Sequence, residues 1–559
     1  MKKQILLGTD SFEKIREGNY FYIDKSMFIK ELLENRGEVT LITRPRRFGK
    51  TLNMSMLKSF FDIGKDSEAL FEGLAIAGYQ DICDKHRNKY PVVSLTLKNV
   101  ELDTYRDAIA RIKTLVSAIF EQNLSIYESG SLSQRQKEMF HTLYMRRSTE
   151  EELQYALFFL TECLYAYHKK RVIVLLDEYD SPIDYAVQYG YYQEMIGFMR
   201  GFLGAVFKTN EYLAFGVLTG VQRIAKESLF SSFNNPLVCG IMDKAFATCF
   251  GFTEDEVKDA CGTYEIGDKY DEIKRWYDGY RFGGLDMYNP WSIVGYLREQ
   301  ELDNYWVNTG SVRVLKDVYY QGDDRLRDDL ATLLTGASIA MSLEDRITYP
   351  IRYTSSNTFW SLLLNAGYIK PCNGTKGARF EAELVNREVG NVFARYATEW
   401  FDEQQPSINE AILAFVDCLL NGDAEGAGRL LNEDLLNNPS SHDFIMENSY
   451  HMFVYGMLLS LADRYTVHSN REAGRGRPDC VIKPVDKSAA AVVLEFKHIN
   501  RVPSGDLGNA LKEEAQKGLA QIEEKVYVHD LKQEGYGQIY KYAIAFHKKS
   551  CEVAMDIGG

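Results

Sequence analysis

Leu41-Ile42-Thr43-Arg44-Pro45-Arg46-Arg47-Phe48-Gly49-Lys50-Thr51 is the stretch whose reading decides the fold. Gly49, Lys50 and Thr51 complete the phosphate-loop pattern Gly-x-x-x-x-Gly-Lys-[Ser/Thr], which sits between a buried strand and a helix. Arg44 stands where the first glycine of that pattern belongs. The setting is the required one, because Val39 to Ile42 is apolar and β-branched and Leu52 to Phe61 reads as a helix. Backbone N–H groups at such a helix N-terminus, helped by the macrodipole, favour an anion. Lys50 then reaches the β/γ-phosphates of a nucleotide, and Thr51 offers its hydroxyl to Mg²⁺. The competing reading is a chance Gly-Lys-Thr in an ordinary loop, and the rest of the chain decides between them.

Length and composition set the frame. A chain of 559 residues predicts several domains, and 45% apolar with 26% charged residues is ordinary for globular protein. Met1 to Gly8 carries two lysines but too short an apolar run for a signal peptide. The most apolar helical stretch, Met452 to Ala462, is too short to span a bilayer. No membrane partner is therefore expected, and the expected location is cytoplasmic. Nine cysteines lie singly, with no Cys-x-x-Cys pair, which argues against a zinc ribbon or a disulfide framework. A net charge of −14 argues against a passive nucleic-acid binder. Charge is uneven, however: from Arg464 to Arg501 eight basic side chains face four acidic ones, either a basic surface or a solvated face.

Four more strand-like runs follow the loop: Pro91 to Leu97, Arg171 to Glu178, Tyr212 to Thr219 and Ala247 to Phe252. Amphipathic helices such as Thr104 to Glu121 and Thr149 to His168 lie between them. Strands alternating with helices, and apolar on both faces, imply a parallel α/β sheet. Thr253-Glu254-Asp255-Glu256 then reads as a capping box that opens the next helix. The run into Asp177-Glu178 supplies what a phosphate loop needs opposite it. Asp177 holds Mg²⁺, directly or through water, and Glu178 polarises the attacking water. Thr219, at the end of the next strand, suits a γ-phosphate sensor, and Arg223 suits a cis-acting arginine. A strand-end hydroxyl and a surface charge are the plainer alternatives for these two.

Five motifs carry a resemblance: Tyr22-Ile23-Asp24-Lys25-Ser26, Thr43 to Thr51, Leu176-Asp177-Glu178-Tyr179-Asp180, Thr219-Gly220-Val221-Gln222-Arg223 and Trp276-Tyr277-Asp278-Gly279-Tyr280. Over about the first 300 residues the chain resembles the bacterial predicted AAA-ATPase (AAA-ATPase-like) family. The resemblance implies ATP as ligand, bound by Arg44, Pro45, Arg46, Arg47, Phe48, Gly49, Lys50 and Thr51 together with Asp177, Thr219 and Arg223. Arg-Pro-Arg-Arg-Phe-Gly-Lys-Thr is the usual loop of that family. A side chain in place of the glycine that lets backbone curl round phosphate predicts binding with slow turnover. Asp24 and Lys25 are placed by the resemblance near the base or ribose.

Just before residue 300, Tyr288-Asn289-Pro290-Trp291-Ser292 marks a loop into a helix capped by Asn289 or Ser292. Phe359 to Ala366 reads as a helix stopped by Gly367. Strand-like Ile369-Lys370 and Phe380 to Val385 follow, then a helix from Arg387 to Phe401. That order resembles a small winged-helix module, either a structural lid or a DNA binder, with the lid preferred. Ile408 to Leu436 reads as a helical connector.

Gly476-Arg477-Pro478-Asp479-Cys480-Val481-Ile482 and Ala491-Val492-Val493-Leu494-Glu495-Phe496-Lys497 form the second chemical signature. Asp479 leads one strand. Glu495 and Lys497 share a face of the next, because side chains alternate with period two. Two carboxylates give hard oxygen ligands for Mg²⁺, and a lysine beside them stabilises charge at a phosphate. A Glu-x-Lys pair on a solvated strand edge is the plain alternative. From about Glu447 to Ile557 the chain resembles the PD-(D/E)xK nuclease fold. The resemblance implies a further metal-facing acid at Glu447 and a glutamine on the helix after the second strand, Gln516 or, preferably, Gln521.

The expected fold class is α/β: a parallel-sheet ATPase domain with a helical lid over 1–300, a helical and winged-helix-like connector over 301–445, and a restriction-endonuclease-like domain over 446–559. The expected function is an ATP-binding and ATP-hydrolysing protein with a Mg²⁺-dependent nuclease-like domain, acting on DNA under nucleotide control. The alternative is a nucleotide-dependent switch or scaffold whose nuclease-like domain binds without cutting. Expected partners are ATP and nucleic acid, DNA in preference to RNA, with assembly into a homo-oligomer left open.

Overall fold

The computed structural model describes residues 2–224, 236–306, 324–334, 338–344, 356–372, 379–390, 407–435, 454, 465–469, 478–484, 486–499, 507–524, 528–547 and 550–558. These fall in two compact units, Met1–Thr309 with Met341–Phe380, and Gly310–Ala340 with Glu381–Gly559. Among the described residues no helix is long and apolar enough to cross a membrane.

The first unit is built on a parallel five-stranded sheet of β1 Val39–Thr43, β2 Val92–Thr96, β3 Val172–Asp177, β4 Leu213–Gly220 and β5 Leu237–Cys239. Its spatial order is β2-β3-β4-β1-β5. β1 and β3 are buried along their whole length, as strands covered on both faces must be. Helix α1 Lys50–Phe61 leaves the loop after β1. Helices α2 Tyr105–Gln122 and α3 Glu150–His168 are capped by Thr104 and by a Thr149/Glu152 capping box. Their apolar faces join Leu41, Val93, Val174 and Leu176 in one core. The register pairs Thr43 with Gly220 and Thr96 with Asp177, so the carboxyl ends of the central strands meet at one edge. Ligands of open α/β sheets bind at that edge.

One strand differs from expectation. Ala247 to Gly251 is a turn, and only Phe252–Thr253 is extended, in a separate small sheet against Tyr288 and Met287. Backbone groups of that turn and of the two residues before it are claimed by side chains. Arg44 takes the carbonyls of Ala245 and Phe246, Asn53 takes that of Cys249, and Glu31 accepts the Phe246 N–H. The fifth strand of the main sheet is instead the three-residue β5, beside β1. The capping box at Thr253 and Glu256 is present and opens α4 Glu254–Thr263.

In the same unit, α5 Pro290–Glu299 is capped by Asn289. Helix α6 Ser356–Ala366 and strand Ile369–Pro371 follow as expected, and α6 touches the core of the parallel sheet. Leu362 joins its apolar cluster, its carbonyl accepts from Gln222, and a Cβ at Gly367 would meet Pro45 at 2.8 Å. The expected helix from Arg387 is described only to Gly390.

The second unit holds a five-stranded sheet in chain order: β6 Tyr465–Ser469, β7 Cys480–Pro484, β8 Ala491–His498, β9 Ile539–His547 and β10 Ser550–Gly558. Neighbours are antiparallel except β8 and β9, which run parallel and are joined through α8 Leu507–Glu524. Cys480, Ile482, Leu494, Phe496, Ile544 and Phe546 form one face, packed against Phe415, Val416 and Leu419 of α7 Ser407–Asn421. The alternate positions face α8, which buries Leu511, Ala515 and Ile522. Strand alternation therefore turns Glu495 and Lys497 toward α8.

Candidate functional site

Arg44 continues the ladder beyond β1, its N–H donating to the Gly220 carbonyl at 3.1 Å. Its fully buried guanidinium leaves the loop and donates to the carbonyls of Thr43, Cys239, Ala245 and Phe246. Phe250 and Phe282 flank it with ring centres 5.5 and 5.1 Å away, and burial lowers its pKa to about 10. Arg44 is thus a structural cation that welds the loop to the 239–246 turn, and its side chain does not line the cavity. The curl of the loop comes later, at Arg47 (φ +68°) and Gly49 (φ +80°). A left-handed arginine costs about 1 kcal/mol. Its guanidinium stacks at 4.1 Å on Trp291, which offsets part of that. Phe48 anchors the loop between Tyr280 and Phe282.

Past Gly49, α1 opens with Lys50 and Thr51. Lys50 Nζ donates to the carbonyls of Arg44 and Pro45 at 3.1 Å each and lies 3.7 Å from Glu178. Thr51 Oγ1 donates to Asp177 Oδ2 at 2.7 Å, and Thr219 Oγ1 donates to Asp177 Oδ1 at 2.5 Å. Burial, with the neighbouring Glu178 charge, raises the Asp177 pKa. Glu178 turns out of β3 with φ +55°. The next residues lock this elbow to the end of β4. Asp180 Oδ2 accepts the Val221 and Gln222 N–H groups at 2.8 and 2.7 Å, and Tyr179 donates to the Gln222 carbonyl. Arg223 follows, half-buried, outside the cavity lining.

A cavity of about 330 Å³ lies over the loop. Arg46, Arg47, Phe48, Gly49, Lys50, Thr51 and Glu178 line one end, and Arg44 and Pro45 stay behind it. The far wall is apolar, made by Ile5 to Leu7, Phe21 to Ile23, Phe252 and Val294. Lys25 reaches this wall but is paired with Glu256 at 2.6 Å. Asp24 is spent on the amides of Ser26 and Ala75. The N-terminal wall was not visible in the sequence, since three apolar residues carry no motif. Lys98 and Glu101, also in the lining, follow the carboxyl end of β2 and were findable by the strand-end rule. The donor set fits a nucleotide and Mg²⁺: an amine and curled backbone at one end, and a hydroxyl–carboxylate pair that suits a hard cation.

In the second unit, the Asp479 carboxylate accepts the Phe496 N–H at 2.7 Å, which places it beside Glu495. Glu495 is almost fully buried. Its Oε1 accepts from Lys497 Nζ at 3.0 Å and from Gln521 Nε2, and Gln521 Oε1 accepts from Lys497 at 2.8 Å. Glu495 Oε2 is buried with no hydrogen-bond partner. Burial first, then the Asp479 charge, raises the Glu495 pKa to about 7. An orphaned buried carboxylate oxygen beside a second acid is what a divalent cation would complete. No cluster of three or more His, Cys, Asp or Glu occurs among the described residues, and Glu447, Gly476 and Arg477 lie outside them. Gln521 meets the strand and Gln516 is exposed. Gly518 allows that approach, since a Cβ there would sit 2.7 Å from Ala543 Cβ. Of the basic residues between 464 and 501, Lys483 pairs with Glu534 and Lys487 donates to the Glu534 carbonyl, so these two do not make a free cationic surface.

Residues 6–230 match the family model described as predicted AAA-ATPase, and residues 445–555 match the PD-(D/E)XK nuclease superfamily model. An AAA-ATPase-like domain and a PD-(D/E)XK nuclease superfamily domain are thereby shown over those stretches. The chain is also 31% identical over 320 residues to a protein described as an uncharacterized protein in the vnfD 5' region of Azotobacter chroococcum mcd 1. That match covers 57% of this chain and 56% of the relative, so the chain matches little more than half the length of that relative.

Proposed function

We propose that this protein binds ATP with Mg²⁺ in the cavity over the 44–51 loop and that nucleotide state governs a Mg²⁺-dependent nuclease site at Asp479, Glu495 and Lys497, with DNA as substrate. The observation that carries the first half is the chain Thr51–Asp177–Thr219, hydrogen-bonded from the first turn of α1 through the end of β3 to β4, with Lys50 alongside. Lys50 and the backbone at Arg47 to Gly49 would hold the phosphates, and Thr51 and Asp177 would hold the cation. Glu178 would orient the attacking water and Arg223 would stabilise charge at the γ-phosphate. In the second unit, Asp479 and Glu495 would hold a divalent cation, which when bound polarises a phosphodiester oxygen. Lys497 and Gln521 would orient the attacked group. Nine cysteines outside any disulfide, seven of them buried, suit a reducing, cytoplasmic setting.

A second reading is favoured by one observation. Lys497 and Gln521 both bind the same Glu495 oxygen, which ties the site closed on itself and suits a domain that binds nucleic acid or a protein without cutting. Cleavage of plasmid and single-stranded DNA by wild type and Glu495→Ala, with Mg²⁺ and with and without ATP, separates the two. Metal-dependent cutting that Glu495→Ala abolishes supports the nuclease. Cutting that survives the substitution, or its absence under every nucleotide, overturns it.

A further inference from the structure

The Tyr288 to Ser292 segment lies against the loop, with Pro290 and Trp291 at the cavity and Asn289 behind it. The carbonyl of Arg46 accepts from Trp306 Nε1 at 3.2 Å and from Asn289 Nδ2 at 3.4 Å. A trans peptide points its C=O and N–H in opposite directions, so this clamp turns the Arg47 N–H away from Asn289 and Trp306. Arg47 itself is left-handed and is stacked on Trp291. Left-handed residues alternating along a loop are how consecutive N–H groups converge on an anion. Asn289 is fixed while it does this, because its Oδ1 accepts the Trp291 N–H as the cap of α5. Trp306 is nearly fully buried, against Tyr280 and Tyr368.

We propose that Asn289 and Trp306 are positioning residues of the phosphate site: they hold the Arg46–Arg47 peptide from outside, in the conformation that a loop glycine would otherwise allow. Arg44 frees the first glycine position for a structural role, and the curl is instead imposed from the α5 side. This rests on the ATP-binding reading above and goes beyond it, since neither residue lines the cavity.

Two conservative variants isolate the clamp. Trp306→Phe keeps the buried ring and removes only the N–H. Asn289→Asp keeps the cap acceptor and turns the donor into a second acceptor facing the Arg46 carbonyl. Affinities for ATP and AMP, measured with Mg²⁺ on the full chain, are compared with wild type and Lys50→Ala, alongside melting without nucleotide. Each variant is expected to bind ATP roughly fivefold more weakly, the worth of one hydrogen bond to backbone. AMP affinity and nucleotide-free melting should hardly change. ATP affinity equal to wild type in both variants, while Lys50→Ala loses it, overturns the clamp and leaves the ATP site standing. Equal loss for ATP and AMP also overturns it, since that marks a general structural role. Wild type and Lys50→Ala binding ATP alike would sink the ATP reading and the clamp with it. Should one variant fail to fold, the other carries the test.

Discussion

Thr51 and Asp177, 126 residues apart, are joined by a 2.7 Å hydrogen bond between the first turn of α1 and the end of β3. Thr219 holds the other oxygen of Asp177 from β4, so one carboxylate ties together two strand ends and the start of a helix. Asp177→Asn preserves the shape and much of the bonding but removes the charge. It is expected to leave the nucleotide affinity without Mg²⁺ near wild type and to abolish the gain that Mg²⁺ brings. Titrating ATP with Mg²⁺ and with EDTA checks this. A Mg²⁺ effect that survives intact in the variant would remove Asp177 from the cation site.

Restoring the glycine of the phosphate-loop pattern should harm the protein. Arg44→Gly deletes a fully buried side chain and leaves carbonyls at Cys239, Ala245 and Phe246 without their donor. A loss of at least about 3 kcal/mol is expected, from the void and the orphaned acceptors together. Urea denaturation measures it, and a variant as stable as wild type would show that Arg44 is not structural.

Asp180 gives a pH signature. Burial, then the charges of Asp184 and Glu178, raises its pKa from 3.8 to about 8. The folded chain therefore keeps a proton that the unfolded chain releases. That stabilising contribution is complete below 3.8 and is lost as pH rises through about 8. Asp180→Asn, neutral at every pH, should flatten the fall in melting temperature between those limits. A slope identical to wild type would contradict this.

Glu495 predicts a second pH dependence of opposite sense. Its carboxyl, raised to about 7 by burial and by Asp479, must lose its proton to hold a cation. Mn²⁺ or Mg²⁺ affinity should rise as pH passes 7, with proton release on binding. Calorimetry in buffers of different ionisation enthalpy reads that release, and pH-independent binding would point to another site.

Gly518 and Gly262 make a contrasting pair. A side chain at Gly518 would press α8 off β9, and Gly262 has nothing within 4 Å of its Cβ position. Gly518→Val is expected to cost about 1–3 kcal/mol and to weaken metal binding by displacing Gln521. Gly262→Ala, in a helix and unopposed, should be neutral or gain about 0.5 kcal/mol. Denaturation of both variants distinguishes close packing from general glycine intolerance.

Sequence legibility followed locality. The loop, the Asp177-Glu178 strand end and the Glu495/Lys497 alternation were readable because each motif lies within one strand or turn. The 247–252 run misled, since its apolar residues suit a strand while its carbonyls at Thr248 and Cys249 serve Lys25 and Asn53 from elsewhere in the chain. Leu237–Cys239 was missed because three residues carry no periodicity. Asn289 was readable as a cap. Its second bond, to the loop 243 residues earlier, and that of Trp306 exist only once the chain has folded.

The most direct measurement is the affinity for ATP with Mg²⁺ of the full chain and of Lys50→Ala. If the 44–51 loop cradles phosphate, wild type binds and Lys50→Ala loses at least tenfold, about 1.4 kcal/mol. Equal affinity in both would mean that the loop is not a phosphate site.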